Sequence, residues 1–191
     1  MKSGFSRSSQ SKCIVGSALL ALLIGHAFAQ AADDAAIAKN FQDRVNKYLE
    51  LHKEQGVGAK PSDSPDKLSE QKHEARKKIR DARATAKQGD IFTPQIGVYF
   101  KKQIAATMQG PDGQKVRASL RHAEPLPHLR LKVNAPYPRN VPLQSTPPTL
   151  LLNLPHLPGK LQYRLVDSTL VLYDVASGLI VDFLPEAVPA A

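Results

Sequence analysis

The sequence predicts an α+β protein in which three or four N-terminal helices precede a small antiparallel β meander with proline-rich extended segments. The period of the apolar residues changes from near 3.6 to 2 after about residue 125. Nine of the 15 prolines lie within residues 125–159, between the two patterns. A chain of 191 residues has room for one ordinary domain or a small domain plus an appendage. This length excludes a TIM barrel, a two-domain dehydrogenase and a kinase.

The N-terminal segment has the composition of a Sec-type bacterial signal peptide. The apolar run Cys13–Ile24 is about a dozen residues long, whereas a membrane-spanning helix needs roughly 20. Small residues at Ala27 and Ala29 suit a peptidase cut before Gln30, with a cut after Ala31 as the alternative. We therefore expect residues 1–29 to be removed and the product to be periplasmic or secreted; an uncleaved N-terminal anchor is the other interpretation. Positive charges precede the apolar run: Lys2, Arg7 and Lys12.

The cysteine content restricts the chemistry. Cys13 is the single cysteine, and it stands at the start of the apolar run, whereas the lipid-modified cysteine of a lipoprotein must follow the run. Residues 30–191 therefore contain none, which excludes disulfides, thiolate catalysis and Cys–zinc sites. No second segment is long and apolar enough to span a bilayer, so we expect no transmembrane segment after cleavage.

Residues 30–124 are predicted to be a helical region. The first helix is expected to begin near Asp33 and Asp34, since acids favour the positive end of a helix, and to stop at Gly56. Its amphipathic stripe contains residues spaced by three and four: Ile37, Phe41, Val45, Tyr48, Leu49 and His52.

Two later helix starts share one local signal, a capping residue followed by proline. Ser64-Pro65 and Thr93-Pro94 each place a cap residue before a proline at the first helical position. The first of these helices is expected over residues 65–88 and to end at Gly89. A turn at 110–113 is expected to lead into one short final helix around Val116 and Leu120.

Residues 125–191 are predicted to be a proline-rich segment followed by a small β module. The proline density disfavours helix and central strands over 125–159, where Leu129–Val133 and Thr149–Leu154 are expected to be short strands. Three strands are predicted between 160 and 184, with turns at 167–168 and 176–178. Both faces of the meander are apolar, so we expect the helices to cover one face and the proline-rich segment the other. The expected faces hold Leu170, Leu172 and Ile180 on one side and Val171, Tyr173 and Val181 on the other.

Catalytic motifs were not found in the sequence. It contains no GxSxG, HExxH, P-loop or GxGxxG pattern. Asp174 and Asp182 flank the second turn of the meander, and a carboxylate pair can hydrolyse glycosides when it is held in a cleft. Hydrogen bonding at the strand ends is the preferred interpretation, because a two-stranded ribbon offers no cleft. We therefore expect a non-enzymatic protein without a cofactor.

Positive charge is concentrated in the middle of a chain whose formal net charge is +9. Nine Lys and Arg face six acids in residues 60–100, and seven face two in residues 101–132. Outside the cytoplasm this excess suits anionic envelope lipids or polymers, or an envelope protein, rather than nucleic acid. Aromatic residues at 6% are also few for base stacking. The candidate residues are Arg76, Lys77, Arg80, Arg83, Lys101 and Lys102, and the competing interpretation is a solvated helix face.

Histidines in the proline-rich loops suggest an alternative function, periplasmic metal handling. His122 and His128 are separated by a Pro-Leu-Pro loop, and His156 lies in a similar Pro-His-Leu context. The three would converge if the two proline-rich pieces lay side by side, and imidazole is a common metal ligand. Solvated loop histidines are the other interpretation.

The C-terminal strand pattern resembles a known module. Leu157-Pro158-Gly159 leads into Tyr163-Arg164-Leu165-Val166, and two further strands follow at 170–175 and 178–184. This part resembles the β module that ends periplasmic proteins of the nickel/cobalt-homeostasis type, and the resemblance implies a similar meander; the helical half does not match that family. The whole chain, with its segments 86–94 and 147–152, resembles uncharacterised secreted bacterial proteins, which implies no activity. We expect an exported binding or structural component of the bacterial cell envelope.

Overall fold

The computed structural model describes residues 15–58, 62–121, 129–138 and 145–189, with side chains from Gln30 onward except that of Arg121. The chain forms two compact units, Met1–Ala36 and Ile37–Ala191. The described part of the first unit is helical backbone. The second unit holds the other helices, the sheet and the core, and its helices-then-meander order confirms the predicted α+β class.

Helices dominate the first two thirds of the chain. Their bounds are α1 (Val15–Glu54), α2 (Pro65–Ala82), α3 (Pro94–Gln109), α4 (Gly113–Arg121) and the single-turn α5 (Pro148–Leu151). Among the described residues, no helix combines the length and the apolar composition that crossing a membrane requires.

The first two helices differ from prediction at one end each. Because α1 begins at Val15, Asp33 and Asp34 lie inside the helix rather than at its positive end. It stops before Gly56, as predicted, where the backbone has φ +59. α2 begins at Pro65 as predicted but ends at Ala82, not at residue 88, because Arg83 leaves helical geometry at φ −120 and ψ 37.

Two of the later helices, α3 and α5, each begin at a proline. α3 begins after Thr93, whose hydroxyl accepts from the Ile96 amide at 3.4 Å, as predicted.

The strand predicted over Thr149–Leu154 is wrong, because α5 occupies its first residues. A proline at the start of a helix loses no hydrogen bond, so Pro148 can begin this turn. The strand predicted over Leu129–Val133 is also wrong, since that described segment is irregular.

The meander has the predicted strands. β1 (Leu161–Val166), β2 (Thr169–Asp174) and β3 (Leu179–Leu184) form one antiparallel sheet in the order β1-β2-β3. Leu172 pairs with Asp182 and Tyr173 with Ile180, so the β3 residue between them, Val181, forms a bulge.

The register assigns the two faces differently from prediction at two positions. Ile180 packs with Val171 and Tyr173, whereas Val181 joins the helix-facing core with Leu170 and Leu172. The predicted faces of Ile180 and Val181 are therefore wrong. The reason is that Asp174 pairs with Leu179 across the turn and Tyr173 with Ile180, which places Ile180 on the side of Tyr173 and the next residue, Val181, on the other.

Each face of the sheet is covered by a different part of the chain. The helix side carries an aromatic cluster in which Phe41 and Phe100 have ring centroids 4.8 Å apart. On the opposite side Tyr137, from the proline-rich segment, packs edge-on against Tyr173. The Tyr137 amide also donates to the Gly178 carbonyl at 3.0 Å, and the Pro136 bridge to Leu179 lies along the same β3 edge. The proline-rich segment thus protects this edge of the sheet.

Candidate functional site

A buried polar cluster joins α1 to the second turn of the meander, with the Asp174 carboxylate at its centre. Its Oδ2 accepts from the Tyr48 hydroxyl at 2.7 Å and the Ser177 hydroxyl at 2.5 Å, and lies 2.8 Å from His52 Nε2. Its Oδ1 accepts from the amides of Ala176 and Ser177 at 2.9 and 3.3 Å. Asp174, His52 and Ser177 are all 0% exposed.

These contacts decide how the cluster titrates. Burial alone would raise the pKa of Asp174, but hydrogen bonds from His52, Ser177 and Tyr48 hold that pKa below its usual value. Burial and the neighbouring Asp174 carboxylate raise the pKa of Tyr48, so its hydroxyl remains a donor. Because a carboxylate only accepts, His52 Nε2 must carry the hydrogen that points at Asp174. The other ring nitrogen, Nδ1, is buried without a partner.

The cluster contains the residue types of a serine–histidine–aspartate triad but not its geometry. In a triad the serine hydroxyl contacts the histidine, and the aspartate contacts the opposite ring nitrogen. Here Ser177 and His52 both bind the same Asp174 oxygen, and none of the three is accessible to a substrate. This cluster therefore binds α1 to the meander rather than activating a nucleophile.

Asp182, the second carboxylate singled out in the sequence, lies in a separate buried site. Its Oδ2 accepts from the Ile91 and Phe92 amides at 2.8 Å, and its Oδ1 accepts from the amides of Gly89 and Phe183 at 3.0 and 2.8 Å. Burial raises the pKa of Asp182 despite these four donors. Asp182 pairs with Leu172 and not with Asp174. Asp174, the last residue of β2, thus stabilises a strand end, as in the preferred interpretation. Asp182 lies inside β3 and instead holds the loop of Gly89, Ile91 and Phe92.

A groove with basic residues lies between α1 and the end of α2, and we call it the α1–α2 groove. It has a volume of ≈ 390 Å³. Its wall includes the aromatic ring of Tyr48, and the Arg83 guanidinium carbon lies 5.0 Å from the centre of that ring. The lining residues are Arg44, Lys47, Tyr48, Leu51, Ala82, Arg83, Asp90 and Ile91.

The charges of the α1–α2 groove are unbalanced. Arg44, Lys47 and Arg83 face one acid, Asp90. The Asp90 carboxylate accepts from the Lys87 amide at 2.9 Å, a hydrogen bond within its own loop. Among the residues that the structure describes, no ion pair within 4.0 Å involves any of the three cations. The groove therefore presents positive charge over partly apolar walls.

The six basic residues named from the sequence have different environments. Arg76 donates to the Ser177 carbonyl at 3.2 Å, and both terminal nitrogens of Arg83 lie 3.4 Å from the carbonyl of the bulge residue Val181. These two arginines therefore hold the meander as well as carrying charge. Lys77, Arg80 and Lys102 are exposed, and Lys101 is half-buried. Only Arg83 of the six lines the α1–α2 groove.

The exposed surface of α2 is not uniformly basic. As far as Glu74 it exposes Asp66, Glu70 and Glu74 beside Lys67. After Glu74 it exposes Lys77, Lys78 and Arg80 against Asp81. The positive part of the helix is therefore the part that leads into the α1–α2 groove.

Of the three histidines of the metal hypothesis, one, His156, belongs to the described part of the chain. His122 and His128 lie outside the described residues, so their convergence stays a prediction. His156 is exposed, and it lines a cavity beside β1. Among the described residues there is no group of three or more His, Cys, Asp or Glu arranged to hold a metal ion.

Sequence reasoning missed the buried cluster and the α1–α2 groove. Tyr48 and His52 stand one turn apart in the apolar stripe of α1, and a polar pair in such a stripe is a signal that a buried partner exists. The partner, Asp174, is 122 residues from His52, so spacing along the chain could not identify it.

Comparison with known proteins adds no identification: no protein-family model, no curated protein and no solved structure matches this chain.

Proposed function

We propose that this chain is an exported, non-enzymatic component of the bacterial cell envelope that binds anionic envelope lipids or polymers at its surface. The supporting observation is the convergence of Arg44, Lys47 and Arg83 on one groove whose acid, Asp90, is occupied by a backbone amide. The composition of residues 1–29, typical of a signal peptide, supports the location.

The exposed cations beside the groove enlarge the proposed surface. Arg80 lies one turn before Arg83, and Lys77 one turn before Arg80, so the three are neighbours along the helix. Each cation close to an anionic surface contributes about 1 kcal/mol. The apolar side of α2 presents the buried residues Ala75 and Ile79, which pack in the core and are not free to enter a bilayer. Binding is therefore peripheral, reversible and electrostatic.

The experiment is sedimentation of the mature protein with vesicles of phosphatidylglycerol and phosphatidylcholine, repeated with lipopolysaccharide. We expect binding to the anionic vesicles only, with a steep loss between 20 mM and 150 mM salt because the Debye length falls to about 8 Å. The test variant changes Lys47, Lys77 and Arg80 to Gln. Three lost contacts of about 1 kcal/mol should weaken binding by about two orders of magnitude.

The control variant removes the same number of charges at exposed lysines away from the groove: Lys67, Lys115 and Lys132, each changed to Gln. Arg76 and Arg83 stay unchanged because both bond to the meander, so their loss would mix folding with binding. If both triple variants weaken vesicle binding equally, the net charge alone explains the binding, which contradicts a localised site. Absence of binding at 20 mM salt would remove the proposed function.

A further inference from the structure

A pocket lies between α2 and the residues that precede β1 and follow β2, and we call it the α2–meander pocket. It has a volume of ≈ 320 Å³, near the lower end of the range of small-molecule sites. α2 contributes Leu68, Lys72 and Ala75 to its lining, and the residues beside the strands contribute Lys160 and Val175. It shares no lining residue with the α1–α2 groove, so it is a separate candidate site.

The walls of the α2–meander pocket present apolar side chains to solvent. Five large apolar side chains are exposed in the described part of the chain, and two of them, Leu68 at 45% and Val175 at 39%, line this pocket. Val57 and Ala75, which belong to the buried core, line it as well. Covering such surface removes apolar area from water, so an aliphatic group is favoured here.

Two lysines add positive charge to the same pocket. The Lys160 ammonium lies 3.5 Å from the Val57 carbonyl oxygen. The Lys72 ammonium lies 3.4 Å from the Tyr173 hydroxyl. Both acceptors are neutral, and among the described residues neither lysine forms an ion pair. The adjoining residues 59–61, outside the described part, are Ala, Lys and Pro in the sequence and supply no acid. Because Lys160 is exposed, an anionic ligand can reach its ammonium group from solvent.

The two kinds of lining restrict the ligand. A lysine ammonium is a point charge without the planar fork of arginine, so it attracts one anionic group without imposing a fixed geometry. A bilayer surface presents head groups rather than chains and would leave the apolar walls uncovered. A small molecule with one negative charge at the end of an aliphatic chain matches both the lysines and the walls.

We propose that the α2–meander pocket binds a fatty-acid anion, with its aliphatic chain against Leu68 and Val175 and its carboxylate beside Lys160 and Lys72. This site is independent of the anionic surface proposed above, because the ligand is one small molecule and the two sites have no residue in common.

The test is a methyl NMR titration of the mature protein with octanoate, and with octan-1-ol as the neutral probe of equal length. We expect octanoate to shift the Leu68 and Val175 methyl signals saturably, with about fivefold higher affinity than octan-1-ol. Fivefold corresponds to about 1 kcal/mol, the upper value for exposed ion pairs. The preference should disappear at 1 M salt, where the Debye length is about 3 Å. Equal affinities at low salt would overturn the role of the lysines.

Exposed apolar side chains elsewhere provide an internal control. Val98 and Leu152 are 69% and 85% exposed, more than Leu68 and Val175, and neither lines the pocket. Attachment of octanoate to any exposed apolar group would shift the Val98 and Leu152 signals at least as much. Comparable shifts at all four residues would therefore refute a site at this pocket.

Charge variants test the head-group end. The double variant Lys72→Gln, Lys160→Gln should lose the preference for octanoate and keep the octan-1-ol affinity. Lys67→Gln is the matched control, since Lys67 is an exposed lysine of α2 that does not line the pocket. If the double variant fails to fold, Lys160→Gln alone should at least halve the preference. A preference that survives in the folded double variant, or in Lys160→Gln where only that variant folds, would contradict the assignment.

Gly159→Leu tests the apolar end. Gly159 lines the pocket, and a Cβ atom there meets no other atom within 4 Å, so the new side chain fills pocket space without a clash. We expect at least tenfold weaker binding of both octanoate and octan-1-ol. Unchanged affinities would place the ligand elsewhere, and octanoate binding lost in the Lys47, Lys77 and Arg80 variant would place it on the anionic surface instead.

Discussion

The Nε2 atom of His52 lies 2.8 Å from the Oδ2 atom of Asp174, and neither side chain is exposed to solvent. This contact joins the end of α1 to the turn between β2 and β3. Tyr48, one helical turn earlier, donates to the same carboxylate oxygen. Because Tyr48 also lines the α1–α2 groove, the buried cluster fixes one wall of the surface that we propose binds anions.

The first prediction is the effect of Asp174→Asn on stability. An asparagine side chain replaces one accepting oxygen by an NH₂ group, which faces donors from the cluster. We expect a loss of about 3 kcal/mol in the free energy of unfolding at pH 7, measured by urea denaturation. A change below 0.5 kcal/mol, the range of a surface substitution, would contradict the central role of this carboxylate.

The cluster also predicts the pH dependence of stability. Because the pKa of Asp174 is lowered in the folded state, its contribution is fully present above the unfolded pKa of about 3.9 and is lost as the pH falls through the lower, folded value. The difference in unfolding free energy between wild type and Asp174→Asn should therefore shrink below about pH 4. Urea denaturation of both proteins at a series of pH values checks this. If the difference in unfolding free energy grows as the pH falls, the pKa of Asp174 is raised by folding and the prediction is wrong.

Asp182→Asn should be destabilising for a different reason. Each Asp182 oxygen accepts from two backbone amides, so the new NH₂ group must face two of these donors whichever way it is oriented. Leaving two buried amides without acceptors should cost about 2–4 kcal/mol. Asp167→Asn is the matched control, since Asp167 is an exposed residue of the same meander. Comparable losses in the two variants would contradict the proposed cause.

Local sequence signals were sufficient for much of the fold. The β meander was predictable because alternating apolar residues and the intervening turns determine strands over a few residues. The helix starts at Pro65 and Pro94 followed from a cap residue and a proline in direct succession. The end of α2 could not be predicted in this way, because its early stop brings the loop amides of Ile91 and Phe92 to Asp182 on a distant strand.

The candidate sites were less predictable because they depend on contacts between distant segments. Arg83 was recognised as a basic residue, but its position over the Tyr48 ring follows from the packing of α2 against α1. In the sequence Arg164 is only part of a strand pattern, and no local signal indicates the bridge from Ser145 that brings the segment before α5 beside β1. Charge and periodicity therefore identify which residues are available but not which of them share a cavity.

Arg83, which follows the last residue of α2, and Lys77, within α2, provide a comparison between a structural and an exposed cation. Arg83→Gln removes the contact with Tyr48 and weakens the contact with the carbonyl of the bulge residue, so we expect a loss of about 1–2 kcal/mol. Lys77→Gln, on the exposed surface, should change stability by less than about 0.5 kcal/mol. Thermal unfolding with circular dichroism measures both variants. An equal effect of the two substitutions would show that charge alone, rather than the contacts of Arg83, is responsible.

The metal hypothesis has its own test at His122, His128 and His156. The lead proposal, a protein that binds anionic surfaces, predicts no saturable binding of Ni²⁺, Zn²⁺ or Cu²⁺. Calorimetric titration of the mature protein measures this directly, with the triple His→Ala variant as the control. Micromolar binding that disappears in the triple variant would favour metal handling over the anionic-surface proposal.

Export and cleavage form the last prediction. Small residues at Ala27 and Ala29 predict a cut before Gln30, so we expect the protein recovered from the periplasm or medium of an expressing bacterium to begin at Gln30. Intact-mass spectrometry distinguishes this product from a cut after Ala31 and from the uncleaved chain. Ala29→Arg puts a large charged residue at the −1 position and should block cleavage, whereas Phe28→Leu at the neighbouring −2 position should not. Recovery of the full-length wild-type chain with the membrane fraction would instead identify residues 13–24 as an anchor.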